Sequence, residues 1–166
     1  MKKKILVFAM MLVLVFGMTA CGQKSEGALS FIVPQGFEYD ENYRCYLGPN
    51  YPNELANINY YSYENDGTFG AITKVNIERE LEAGLSEGFG TDVDITLTRW
   101  DKTKVKGYDA IIYAYEYTCG GVGYEQIQVA IEGKDNYHYI TFSDYAESAY
   151  TEAFEECIKS MAFVAE

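Results

Sequence analysis

From Val93 to Phe142 the chain is written in alternation. Four runs, Val93 to Trp100, Tyr108 to Thr118, Glu125 to Glu132 and Tyr137 to Phe142, change side-chain character residue by residue, and short polar or glycine-rich stretches over 102–107, 119–123 and 133–136 separate them. A period of two marks a strand whose two faces meet different surroundings, and connections this short join antiparallel neighbours. The expectation is a four-strand meander. Upstream, Phe31-Ile32-Val33 reads as a short strand ended by Pro34-Gln35-Gly36, and Phe37 to Leu47 as a tyrosine-rich strand closed by Gly48-Pro49-Asn50. Leu55 to Tyr63 alternates Ala56, Ile58 and Tyr60 with Asn57, Asn59 and Tyr61, as a half-buried strand does.

In two places the period lengthens to that of a helix. Ile77, Leu81 and Leu85 recur every four residues, with Asn76 placed to cap the start, Glu78 and Glu80 suited to the first turn, and Gly88 and Gly90 to stop it. Between Ala146 and Ser160, Phe154, Cys157 and Ile158 form one stripe that Met161 continues, before 162–164 returns as a last short strand. Helices at the two ends of a strand run make the fold class α+β, an antiparallel meander flanked by two main helices as an α/β/α sandwich.

Parity also sorts the meander chemically. Tyr113, Tyr115 and Tyr117 fall on one face, and a matching register adds Gln126, Gln128, Tyr137, Tyr139 and Thr141 to it. Ile112, Ala114, Ile127, Val129, Ile140 and Phe142 fall on the other. One side is an aliphatic core. The other is a candidate binding face for an envelope protein or a glycan, because tyrosine joins a rigid apolar body to a polar tip. The competing reading is structural: tyrosine favours strands, pairs well across them, and can lie beneath the second helix.

The N-terminus alters the address. Lys2, Lys3 and Lys4 precede an apolar stretch from Ile5 to Phe16, too short to span a bilayer, so 1–20 reads as a secretory signal. Gly17-Met18-Thr19-Ala20-Cys21 resembles the lipobox of bacterial lipoproteins, with Met18 in place of the usual Leu. The resemblance implies cleavage before Cys21, a diacylglyceryl group on its thiol and attachment to the lipid bilayer, in a host that the lysine-led signal suggests is Gram-positive. Two acyl chains hold a protein where one does not. Ordinary cleavage after Ala20, leaving a free Cys21 thiol, is the alternative. Residues 21–29 then form a lipidated flexible tether and 30–166 a single extracytoplasmic domain.

Processing at that point leaves ten basic residues against 25 acidic ones and moves the formal charge from −12 to −15, by removing three of 13 Lys and Arg. Such a balance repels phosphate backbones, which excludes nucleic acid as a partner. Cys45, Cys119 and Cys157 remain, an odd number that allows at most one internal pair; Cys157 lies on the helix stripe as a small hydrophobe, and a Cys45–Cys119 bridge stays open.

Together FIVPQGF at 31–37, KVKGYDAIIYAYEY at 104–117, YHYITFSD at 137–144 and FEECIKSMAF at 154–163 resemble the PsbP-like fold. That superfamily includes an extrinsic lumenal subunit of photosystem II, a yeast Ran-binding transport factor and many bacterial lipoproteins. The resemblance runs from Phe31 to Val164. It implies an antiparallel sheet flanked by helices, a non-enzymatic interaction role, and no catalytic residue or cofactor.

One motif points to an enzyme. Gly84-Leu85-Ser86-Glu87-Gly88 is a literal G-x-S-x-G, followed by several Asp and by His138, the only histidine, in the order of α/β-hydrolases. A nucleophile elbow needs a strand before its serine, whereas Ser86 falls in the last turn of a helix. His138 shares parity with Ile140 and Phe142 and suits a hydrogen-bonded place at the core edge; with no Cys or carboxylate at ligand spacing it makes no metal site. Asp92 and Asp94, and Glu78, Glu80 and Glu82, lack the spacing of a calcium loop. Gly120-Gly121-Val122-Gly123 opens no helix and reads as a hairpin turn, not a phosphate cradle. The sequence favours a membrane-anchored, non-catalytic binding or accessory domain, with a Ser86/His138 hydrolase and a small-ligand-binding lipoprotein as alternatives.

Overall fold

The computed structural model describes residues 29–146 and 149–163; the signal, Cys21 and most of the tether lie outside them. In chain order the strands are β1 (Leu29–Ser30), β2 (Glu38–Asp40), β3 (Cys45–Leu47), β4 (Asn57–Glu64), β5 (Ile95–Val105), β6 (Tyr108–Cys119), β7 (Val122–Glu132), β8 (Asn136–Tyr145) and β9 (Ala162–Phe163). Helix α1 (Lys74–Phe89) lies between β4 and β5, and α2 (Thr151–Ser160) between β8 and β9.

The meander forms because its turns twist the right way. Lys106-Gly107 and Gly120-Gly121 take positive φ at both positions, 50° and 97°, and 61° and 79°, which matches two-residue hairpin turns to the right-handed twist of the strands. Such turns let the strands grow. β5 runs through 102–105, a stretch expected to be a connection, and β6 through to Cys119. Seven strands make one antiparallel sheet in the order β2-β3-β4-β8-β7-β6-β5, while β1 and β9 pair separately. β4 therefore adds to the far side of the meander, against β8, with Tyr61 opposite Tyr139 and Ile58 opposite Phe142.

Other expectations shift by a turn. The segment 37–47 is a hairpin, not one strand, because the Asp40 carboxylate accepts from the Asn42 and Tyr43 amides at 2.8 and 3.0 Å and bends the chain. The first strand is Leu29–Ser30; beyond it the Ile32 amide donates to Ser160 Oγ at 2.8 Å instead of to a strand. Thr73, not Asn76, caps α1, its side chain accepting from the Asn76 amide at 3.3 Å, and Gly90 ends the helix at φ 66°. α2 begins at Thr151, with Glu152 near its start and Lys159 near its end, where each complements the helix dipole.

Two layers result, one on each face of the sheet. Phe154, Cys157, Ile158 and Met161 from α2 and its end close on Ile58, Ile112, Ile127, Val129, Ile140 and Phe142. α1 lies over the other face, where Leu85, with Ile77 and Leu81, packs toward Ile111, Tyr113, Tyr115 and Tyr117. The fold is the expected α+β sandwich, and its tyrosine face has a helical roof.

Candidate functional site

The register that parity suggested is the one that forms: Tyr113 stands opposite Gln128, Tyr115 opposite Gln126, and Gln128 opposite Thr141. Cross-strand neighbours on one face lie close enough to touch, and these bond in series. Tyr113 Oη donates to Gln128 Oε1, Gln128 Nε2 donates to Tyr115 Oη at 3.3 Å, and Tyr115 Oη donates to Gln126 Oε1. Tyr113, Tyr115 and Tyr117 stack along their strand at 6.4 and 6.1 Å between centroids. Tyr137 is fixed from the loop before α1: its hydroxyl donates to Asp66 Oδ1 at 3.0 Å and accepts from the Phe69 amide at 3.0 Å.

Phenols and amides held upright keep α1 from closing down. Between the helix and this floor lies a cavity of about 610 Å³, partly open to solvent. Tyr113, Tyr115, Gln126, Gln128, Tyr137 and Tyr139 line it, together with Thr141. Tyr117, the remaining residue of the expected face, does not; its ring packs between Phe89 and Tyr124. The face is also not the open surface that docking of a large partner requires, since Tyr115 is 1% exposed and Tyr113 2%. Leu81, Leu85 and Gly84 of α1 form the roof, and Tyr61, Tyr63 and Glu64 of β4, with Asp66, Thr68 and Ile72, complete the wall.

The electrostatics are one-sided. Burial raises the Tyr113 and Tyr115 hydroxyls well above their ordinary value of 10 and pushes Tyr139 up to about 12, so the floor stays neutral. Hydrogen bonds from the Thr68 side chain and amide, with a further one from Tyr137, hold the Asp66 carboxyl below its usual range. Glu64, Asp66 and Glu80 are the acidic residues of the lining, which includes no Lys, Arg or His.

The hydrolase pair does not assemble. Ser86 Oγ accepts from the Val93 amide at 2.9 Å at the end of α1, over the tyrosine face. His138 lies on the opposite face, 3% exposed, sharing a 2.8 Å hydrogen bond with Tyr60 Oη through Nδ1 and packing against the Phe163 ring. The sheet stands between them. A Cys45–Cys119 bridge is excluded as well: β3 and β6 are four strand spacings apart, roughly 19 Å, where a disulfide needs Cα atoms within about 7 Å. All three described cysteines are free, and burial raises Cys45 to about 11 and Cys157 to about 12.

Tyr61 and Tyr63 were not foreseen as part of this site. Their parity with Asn57 and Asn59 was readable, but joining them to the meander requires knowing that β4 pairs with β8 across the α1 insertion.

No family model matches the sequence, and no curated protein matches it. Solved structures do. CyanoP, the cyanobacterial PsbP of Synechocystis sp. PCC 6803, superposes with a TM-score of 0.59 at 14% identity, over 89% of this chain and 99% of that one. The fold is PsbP-like. LpqN of Mycobacterium tuberculosis, a protein involved in cell envelope biogenesis, matches this PsbP-like chain with a TM-score of 0.51 at 12% identity, over 85% of this chain and 87% of LpqN. A Bacteroides thetaiotaomicron protein gives 0.53 at 11% identity, with 83% of this chain covering 46% of that one. Among the described residues no helix is long and apolar enough to cross a membrane.

Proposed function

We propose that this protein is a lipid-tethered, extracytoplasmic binding domain that holds a small molecule in the α1 cavity and carries out no covalent chemistry. The observation that carries the reading is the cavity: about 610 Å³ falls within the range of small-molecule sites, ~300–1,000 Å³, and its floor is a pre-formed, hydrogen-bonded row of tyrosine and glutamine. A pre-ordered site loses little entropy when it is filled. The non-catalytic reading is supported by the separation of Ser86 from His138 and by phenols that burial keeps protonated. The envelope address is supported by the lipobox-like run ending at Cys21 and by a like fold in LpqN. The PsbP-like fold is also compatible with an accessory role, for which the filled cavity would be the signal passed on.

Two measurements test this. Intact mass of the protein from its host membrane fraction, with and without inhibition of the lipoprotein signal peptidase, should reveal a species that starts at Cys21 and carries diacylglyceryl mass; a soluble form with a free Cys21 thiol would overturn the anchor. For the cavity, native mass spectrometry of the same material should show a retained small molecule, displaced in Gly84→Phe. A Cβ added at Gly84 meets nothing within 4 Å, so a larger side chain there has room to enter from the roof without unfolding the helix. Equal occupancy in both proteins would sink the cavity reading.

A further inference from the structure

The chemistry of the cavity narrows its ligand. Gln126 and Gln128 have amide oxygens that already accept from Tyr115 and Tyr113, so the floor is ordered before a ligand arrives. Anions are opposed by Glu64, Asp66 and Glu80 in a lining that has no basic side chain. Glu80 and Asp66 act on the interior as well. Glu80 opposes ionisation of Tyr113 and Tyr139, and Asp66 that of Tyr139, which sets both charges near the phenols.

Asp66 Oδ1 is already occupied by the Thr68 amide at 3.0 Å, Thr68 Oγ1 at 2.6 Å and Tyr137 Oη at 3.0 Å. These bonds fix the carboxylate in place, so its charge is held beside the rings before any ligand arrives. The rings supply the rest. Tyr63 and Tyr139 meet at 5.8 Å with their planes 73° apart, forming a corner, and Tyr61 stands directly opposite Tyr139 on β4. Electron-rich ring faces at steep angles beside a carboxylate are how proteins hold quaternary ammonium groups, because cation–π attraction grows as the weakly hydrated cation leaves water.

We infer that the cavity selects a small organic cation of the quaternary ammonium class, its charged head in the Tyr61–Tyr63–Tyr139 corner beneath Glu80 and Asp66, and its tail over the tyrosine-glutamine floor. This rests on the cavity being a binding site at all.

The test is titration calorimetry of the processed protein with three probes: choline, its uncharged carbon isostere dimethylbutanol, and glucose. Choline should bind at least about tenfold more tightly than dimethylbutanol, and Glu80→Gln and Tyr139→Ala should each weaken choline about fivefold or more while Tyr139→Phe, which keeps the ring, should not. Circular dichroism confirms that each variant is folded. Should dimethylbutanol or glucose bind as well as choline, or Glu80→Gln leave choline affinity unchanged, the cation assignment is overturned and the cavity reading stands. Should none of the three bind, and native mass spectrometry find no ligand sensitive to Gly84→Phe, both fall.

Discussion

The two faces of one sheet have been closed in opposite ways. On the aliphatic face, α2 needs only ten residues to bury Phe154, Cys157 and Ile158 against branched side chains. On the tyrosine face, α1 runs to sixteen residues, and Leu85 is its one buried side chain. Methyl-rich surfaces interdigitate to crystal-like density, whereas phenols and amides that must keep their hydrogen bonds stand in fixed positions and cannot fill irregular space. The lesson is that a gap is made by what the floor must satisfy as much as by the helix above it. The faces should therefore answer differently to perturbation.

Alkali should separate them most strongly. Tyr113, Tyr115 and Tyr117 have hydroxyls raised by burial from the ordinary value of 10. A raised folded value means that these groups contribute their full stability below pH 10 and lose it as pH climbs toward the folded values. Tyrosinate absorbance and far-ultraviolet circular dichroism should thus change together in a cooperative transition above pH 10; phenols that ionise there in a still-folded domain would show that the face is wetter than described.

Next in size, Phe154→Ala in the tight layer should cost about 3–5 kcal/mol by urea denaturation, since its neighbours cannot collapse into the space. Leu81→Ala, half-buried at the cavity roof, should cost about 1 kcal/mol. Equal losses would erase the contrast between the layers. Tyr115→Phe falls between them: it strands the Gln126 oxygen and the Gln128 amide, for about 1–3 kcal/mol. The smallest effect has the opposite sign. Gly84→Ala should stabilise the domain by about 0.5–1 kcal/mol, because the glycine sits inside a helix with nothing near its missing Cβ.

How much of this was legible depends on the range of the information. Parity within single strands identified both faces, and Tyr113, Tyr115, Gln126 and Gln128 on the correct one, since alternation is local and the short turns fixed the register. It placed His138 at the edge of the core for the same reason, where the fold buries it. What parity could not supply was which helix lies on which face. The sequence allowed the second helix over the tyrosines, and the fold puts the first one there, because that order depends on β4 joining at β8 and reversing the route into α1. The cavity was illegible for a related reason: it is the mismatch between two surfaces, and no single segment records it. The strand expected over 37–47 failed on one residue, Asp40, whose carboxylate draws the next two amides out of the extended path.

The short pair formed by Leu29–Ser30 and Ala162–Phe163 also has a mechanical meaning. It clasps the beginning of the described chain to its end, aided by Ser30 Oγ donating to the Ala162 carbonyl at 3.0 Å and by the Ile32 amide on Ser160. Tension arriving from the residues ahead of Leu29 is borne first by this clasp and by the Leu29 side chain in the aliphatic core. Phe163 of the clasp packs in turn on Tyr108 and His138 of the long strands, at 4.3 and 5.0 Å between centroids. The clasp thus stands where a pull on the residues ahead of Leu29 would first be felt, and it is this two-strand pair, not the seven-strand sheet, that such a pull would have to open first.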